Sequence, residues 1–265
     1  MVFNSIAPKI TILGSNGYIG TNLINKLHDK AELQLVSRNN SEKMTFSDKD
    51  LNVIINLCSS KINDDPAISY ESNFNFQRNI LIDNEKKHFL WIQIASYYEL
   101  QIAHGRSDSY STHKTEFRKF LGEWEDEHEN FTHKCLFLPH VFGRNESEGR
   151  LISSLKQLNL GKKTVFGSKD HYIPLLYVDD AIAAILLAIN ARQKISMATP
   201  IWYGKLNELV RAAVKNESVY ELLVFNENKQ EYSAVKISFP EPLVGFNPLF
   251  TFSELQYKLK EGIKF

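Results

Sequence analysis

Apolar residues in the first half of the chain come in short unbroken runs: KITIL (9–13), LQLVS (33–37), NVIINLCS (52–59), HFLWIQIAS (88–96) and HKCLFLPHVF (133–142). Runs this short and apolar on both faces read as strands of a parallel sheet covered on each side. Between them, the segments 17–29, 69–84 and 110–126 read as helices; in the last, Phe117, Phe120, Leu121 and Trp124 form a stripe at helical spacing. Strand and helix alternating through short connections predict a doubly wound α/β fold. After residue 143 the order loosens. A helix at 149–159 precedes KKTVFG and YIPLLYVDD, then an apolar helix at 179–192 and another near 204–215. Two strands near 221–239 and a short helix near 253–261 complete the chain. No linker composition sets this part off, so one body with a cleft is expected.

Composition narrows the function classes. The 265 residues are 43% hydrophobic and 23% charged, ordinary for a globular protein that buries a core without staples. Lys plus Arg and Asp plus Glu number 31 each, so no net field favours nucleic acid or membrane lipid. Cys58 and Cys135 sit in apolar runs and read as buried thiols, with no metal-ligand spacing around them. The first residues lack the layout of a signal peptide, and AIAAILLAI (181–189) is too short to span a bilayer. A cytoplasmic protein without metal, membrane or nucleic-acid partners is expected.

The first strand runs into LGSNGYIG. Gly14, Gly17 and Gly20 lead into a helix whose packing side carries Tyr18, Ile19, Leu23, Ile24 and Leu27. Glycines at this spacing suit a tight turn and close backbone approach to a pyrophosphate, which the helix N-terminus meets with unpaired N–H groups and partial positive charge. The second strand ends LVSRNN. Ser37, Arg38 and Asn39 stand where an acidic residue would meet a free ribose 2′-hydroxyl. An arginine fork suits a 2′-phosphate, so the expected cofactor is NADP(H) rather than NAD(H).

Tyr-x-x-x-Lys occurs twice, as Tyr110–Lys114 and Tyr232–Lys236. On a helix such a pair lies roughly 5–6 Å apart at Cβ; on a strand it lies about 13 Å apart. The first pair opens a helical stripe. The second sits where Val235, Ile237 and Phe239 alternate with Ala234, Lys236 and Ser238 before Pro240, which predicts a strand. Only the first pair therefore converges. A phenol beside a lysine ammonium and a bound nicotinamide is biased toward phenolate and can exchange a proton with a carbonyl oxygen. Ser96 ends the fourth predicted strand and would hold that carbonyl, with Ser107 and Tyr98 as competitors for the part.

Taken in order, these motifs resemble the extended short-chain dehydrogenase/reductases, in particular the branch of nucleotide-sugar epimerases, dehydratases and reductases. LGSNGYIG is similar to that branch's glycine motif, NLCSS (56–60) to the strand end along the cofactor ribose, and SNFNFQRNILI (72–82) to its Asn-containing helix, with Asn73 and Asn79. IASYYE (94–99) resembles its serine-bearing strand end, YSTHK its Tyr-x-x-x-Lys, LPHVFGRN (138–145) its following strand, LLYVDDAIAAI (175–185) its Val-Asp-Asp helix start and LVGFNPLFTFSELQ (243–256) its closing segment. The resemblance implies a doubly wound Rossmann sheet with a smaller C-terminal substrate-binding region. Residues 1–145 would form the NADP-binding core and 146–265 mostly the substrate region, with 175–192 returning to the core. Tyr110, Lys114 and Ser96 would be catalytic. Cofactor contacts would come from Gly14, Asn16, Gly17, Tyr18, Ile19, Gly20, Ser37, Arg38, Asn39, Leu57, Cys58, Ser59, Asn73, Ala95, Pro139 and Val141. Substrate contacts would come from Ser60, Tyr98, His140, Arg144 and Arg150.

Two departures stand out. Tyr110 follows Ser96 by only 14 positions, which resembles the small deoxysugar 4-ketoreductases of the paratose and abequose synthase kind. The arginine that grips the substrate diphosphate in the family is replaced by Ile173, leaving Arg144, Arg150, Lys169 or His171 to take its part. The implied activity is NADPH-dependent reduction of a nucleotide-linked 4-keto-6-deoxy sugar, as in making surface polysaccharide. A C4 epimerase and a non-catalytic NADP sensor or scaffold are the alternatives. The helix with Tyr-x-x-x-Lys often lies in a dimer bundle in this family, which makes a homodimer the expected assembly.

Overall fold

The computed structural model describes residues 9–37, 44–226 and 234–265. Chain order begins β1 (Lys9–Leu13), α1 (Tyr18–Leu27), β2 (Glu32–Val36) and β3 (Asn52–Asn56). A helical run follows: α2 (Pro66–Tyr70), a π turn (Glu71–Asn75) and α3 (Phe76–Asp83). Next come β4 (Phe89–Ser96), a 3₁₀ helix (Tyr97–His104), α4 (Ser109–Glu127), β5 (Phe131–Leu138) and β6 (His140–Phe142). The remainder holds α5 (Leu151–Asn159), β7 (Thr164–Phe166), β8 (Tyr172–Tyr177), α6 (Val178–Asn190), β9 (Ile195–Met197), β10 (Trp202–Lys205) and α7 (Leu206–Ala213), then a 3₁₀ helix (Glu217–Leu222), β11 (Leu223–Phe225) and α8 (Phe252–Glu261).

Six strands form an all-parallel sheet in the order β2-β1-β3-β4-β5-β9. Alternate side chains of the central strands enter separate cores, as the two-residue period of a strand requires. Ile10, Ile12, Val53, Ile55, Ile92 and Ile94 pack with α1 and α6 on one face. Leu13, Ile54, Phe89 and Trp91 pack with α3 and α4 on the other, against Leu81, Phe117 and Leu121. Each such fully buried side chain contributes about 1.5–3 kcal/mol. This is the doubly wound α/β fold that the unbroken apolar runs predict. The apolar stretch 181–189 lies in α6, inside the first of these cores. Among the described residues no helix is long and apolar enough to cross a membrane. Cys58 and Cys135 are buried and neither joins a disulfide. Asp180 accepts from the backbone N–H groups of Leu249 (2.9 Å) and Phe250 (3.0 Å), tying the C-terminal segment to α6.

A third core gathers Phe142, Ile152, Leu155, Leu158, Ile173, Leu175, Leu209 and Leu255, from β6, α5, β8, α7 and α8. It lies against a three-stranded sheet, β10-β8-β6; β7 and β11 form a separate parallel pair.

Several elements differ from the sequence expectations. The run 133–142 is two strands in two sheets: Pro139 has no N–H to donate, so β5 ends at Leu138 and β6 pairs with β8 instead. The run 52–59 stops at Asn56, whose side-chain oxygen accepts from the Cys58 N–H at 3.1 Å and bends the chain. The helix expected over 69–84 starts at Pro66, capped by Asp65. In the 204–215 segment helix begins only at Leu206; Lys205 still belongs to β10. Of the two strands expected near 221–239, only β11 forms among the described residues. Residues 236–240 carry no regular structure. The Tyr203 hydroxyl takes the place of a neighbouring strand there, accepting from Ile237 N (2.8 Å) and donating to Ile237 O (3.3 Å).

Candidate active site

The cleft begins at the loop between β1 and α1. Gly14 has φ +78°, and a Cβ there would lie 2.8 Å from the Leu57 backbone. A Cβ on Gly20 would lie 2.5 Å from Gly14 O. Both glycines are needed for the loop to close on itself. The loop is tied to β2 by Gly14 N donating to Val36 O at 3.0 Å. Gly17 differs: its Cβ would meet only Gly14 O, at 3.2 Å. It N-caps α1 with no side-chain cap and no acidic residue in the first turn. The first N–H groups of a helix have no intrahelical partner, and here they and the helix dipole are left for a ligand. A cavity of about 530 Å³ opens in front, lined by Gly14, Asn16, Gly17, Ser37, Leu57, Cys58 and Ser59, with Ser72 and Phe76 from the π turn and α3. This glycine cradle fits a dinucleotide pyrophosphate.

The second half of the cleft, about 480 Å³, shares Gly14, Gly17, Leu57 and Ser59 with the first and is lined further by Tyr18, Ile19, Gly20, Ser60, Ala95, Ser96, Tyr98, Tyr110, Lys114, Pro139, His140, Val141 and Arg150. It lies at the carboxyl ends of β1, β3, β4 and β5, where the strand order reverses and ligands of open α/β sheets bind. Tyr110 and Lys114 both lie on α4, whose N-cap Asp108 accepts from Ser111 N at 2.9 Å. Lys114 is buried, with Nζ 5.8 Å from the centre of the Tyr110 ring and donating to Ile94 O at 3.0 Å. Ser96 lines the cleft and also caps the following 3₁₀ helix: Oγ accepts from Tyr98 N at 3.2 Å, and its own N–H donates to Glu99 Oε1 at 2.8 Å. Its hydroxyl proton stays available to a ligand.

Beyond Tyr110 the wall is polar: Tyr18, His140 and Arg150 line it, with His171 and Glu146 close by but outside the lining. Burial, with Arg150 and His171 beside it, pushes the His140 imidazole down to about 3. Burial and the Arg106 charge hold His171 down to about 4. Burial pushes the Glu146 carboxyl up to about 7 despite the neighbouring Arg150, and holds the Tyr18 phenol well above its usual range. Among the described residues, the Tyr18 hydroxyl and the Nε2 atoms of His140 and His171 have no hydrogen-bond partner. Such groups cost about 1–3 kcal/mol each when left unsatisfied, so this end of the cleft is suited to a polar ligand. Arg150 lies over the Tyr18 ring at 4.7 Å and donates to Val141 O at 2.8 Å.

Some expected residues stand elsewhere. Asn73 is buried behind the wall and donates to Ser60 Oγ at 2.7 Å, so it holds a lining residue rather than lining the cleft. Arg144 pairs with Asp179 at 2.7 Å and is absent from the lining. Ser107, Asn79 and Lys169 are exposed. Ile173 is in the third core, under the β10-β8-β6 sheet. Arg38, Asn39 and Tyr232 lie outside the described residues. The lining also includes Lys61, Ser72, Phe76, Ile94, Tyr97 and Leu138, which the sequence reading did not assign. Ile94 and Leu138 flank assigned strand-end residues and were within reach of that signal; Ser72 and Phe76 were not, because the π turn breaks the helical period.

Residues 93–200, which include Ser96, Tyr110 and Lys114, match the model of the NAD dependent epimerase/dehydratase family. No curated protein matches the chain. Among solved structures, a UDP-N-acetylglucosamine 4-epimerase from Methanobrevibacter ruminantium M1 in complex with UDP-N-acetylmuramic acid is similar at 15% identity and TM-score 0.72, covering 97% of each chain. RMD from Pseudomonas aeruginosa complexed with NADPH is similar at 14% identity and TM-score 0.70, covering 97% of this chain and 96% of that one. A UDP-glucuronic acid 4-epimerase from Bacillus cereus in complex with UDP-glucuronic acid and NAD is similar at 13% identity and TM-score 0.69, covering 96% and 98%. At such identities the likeness establishes the fold, the doubly wound sheet that these enzymes share with this chain.

Proposed function

We propose that the protein is an extended short-chain dehydrogenase/reductase that reduces a nucleotide-linked 4-keto-6-deoxy sugar with NADPH. The observation that carries this reading is one continuous cleft joining an uncapped, glycine-lined helix N-terminus to Ser96, Tyr110 and Lys114. A nicotinamide bound there would supply the hydride. Gly14, Gly17 and Gly20 take the pyrophosphate. Ser96 donates its hydroxyl proton to the substrate carbonyl and orients it. Tyr110 delivers the phenolic proton to that oxygen, and Lys114 favours the phenolate left behind. Tyr18, His140 and Arg150 hydrogen-bond the polar sugar and its phosphates, taking the part that Ile173 cannot. Residues 1–145 serve mostly the cofactor and 146–265 mostly the substrate.

The enzymes named epimerases among the similar structures, and the matching family model, favour a second reading as a nucleotide-sugar C4 epimerase. Incubation with NADPH and a nucleotide 4-keto-6-deoxy sugar separates the two: a reductase consumes NADPH in step with product, whereas an epimerase retains its cofactor and consumes none. The NADPH preference is assigned to Arg38. Arg38→Ala should weaken NADPH binding much more than NADH binding in a fluorescence titration. Equal affinity of the unaltered protein for both cofactors would overturn the assignment.

A further inference from the structure

Arg106 is buried at 6% exposure, in the short connection between the 3₁₀ helix and α4. A buried guanidinium is retained where its donors and charge are met. Here Nη1 donates to Gln101 Oε1 at 2.8 Å, Nε donates to Ser111 Oγ at 2.8 Å, and Asp108 supplies the counter-charge. Gly105, at φ +94°, turns the chain so that Arg106 points inward rather than to solvent. The guanidinium carbon then lies over the Tyr98 ring, 4.0 Å from its centre. Tyr97 crowds the same ring at 4.1 Å, and Tyr98 meets Tyr110 edge to face, at 6.5 Å and 85°.

The partners of Arg106 belong to two walls. Gln101 and Tyr98 are on the 3₁₀ helix; Asp108 is the N-cap of α4 and Ser111 lies in its first turn, two residues before and one residue after Tyr110. We propose that Arg106 is a positioning residue of the active site, a single planar fork that fixes Tyr98 and the N-terminal turn bearing Tyr110 relative to each other. The inference rests on the proposed function for its catalytic meaning. A lysine would keep the charge but not the fork, because its donors radiate from one point on a flexible stem.

The test uses the full chain with tyrosine labelled in the ring, and the variants Arg106→Gln, Arg106→Lys and Tyr98→Leu. NMR reads the Tyr110 ring signals, which carry the ring-current shift of Tyr98 and need no substrate. Both Arg106 variants should move those signals in the direction that Tyr98→Leu moves them. With a nucleotide ketosugar, kcat should fall on the order of tenfold or more, the scale of a small misplacement of reacting groups, while NADPH affinity stays within about twofold. Tyr110 signals left in place by Arg106→Gln or by Tyr98→Leu would overturn the proposal. So would a fall in kcat matched by an equal loss of NADPH affinity, or full recovery of kcat in Arg106→Lys. Should Arg106→Gln not fold, Arg106→Lys and Tyr98→Leu decide the question alone. If the unaltered protein reduces no ketosugar, the functional reading fails, and the NMR result still settles whether Arg106 sets the two walls.

Discussion

The two ends of the cleft are built from different materials. At the glycine end the wall is backbone: Gly14 and Gly20 allow the loop to close to within van der Waals contact of its neighbours, and Gly17 leaves a helix terminus bare. At the far end the wall is side chains: burial displaces His140 and Tyr18 in the lining, and His171 and Glu146 close by, from their usual protonation behaviour. Backbone geometry answers to a part common to many ligands. A cluster of desolvated side chains can be altered one residue at a time, which suits it to discriminating one ligand from another.

The largest effect is expected where the two ends meet. Tyr110→Phe removes one hydroxyl and should cost turnover several orders of magnitude while NADPH still binds, as read by steady-state kinetics and a binding titration. Retention of substantial turnover would remove Tyr110 from the mechanism.

Smaller in scale is the contrast between glycines. Gly17→Leu should fold, with its melting temperature little changed, and lose NADPH affinity by tens of fold or more, because its side chain enters the cavity. Gly14→Val should lose the loop itself and melt earlier. If Gly17→Leu binds NADPH normally, the glycine end is not the phosphate site.

The smallest effect concerns pH. The Glu146 carboxyl is held above its usual 4.5, at about 7. It therefore supports the fold fully below about pH 4.5, and that support is lost as pH rises through 7. His140 and His171 are held below 6.5, at about 3 and about 4, so they act in the opposite sense: their support is present above 6.5 and is lost as pH falls through those values. Glu146→Gln should therefore gain stability relative to the unaltered protein between pH 4.5 and 7, read as the urea midpoint at each pH. Parallel curves would mean that Glu146 is not titrating in this window.

Legibility in the sequence followed the same division. The unbroken runs located the central strands because both faces of those strands are buried, and glycine spacing and Tyr-x-x-x-Lys are local signals. Three-residue strands such as β6 and β9 offer too few positions for a period to show; β6 was hidden in a longer run behind Pro139. The alternation around Ile237 misled because a tyrosine hydroxyl, not a strand, satisfies that backbone. Arg106 carried no local pattern at all, and His171 was only one of four candidates for the missing arginine's part. Their surroundings arise only when the 3₁₀ helix, α4 and β8 are brought together by the fold.

The two thiols make the cleft chemically readable. Cys58 lines the glycine-end cavity at 8% exposure, whereas Cys135 is sealed within β5 at 1% exposure and its thiol is pushed up to about 12 by burial. An alkylating reagent small enough to enter should therefore label one position slowly and leave the other as an internal blank. A dinucleotide seated against Leu57 and Ser59 would shield that position, so the modification rate, followed by mass spectrometry, becomes an occupancy gauge for the cofactor half of the cleft, with no requirement that the sugar be known.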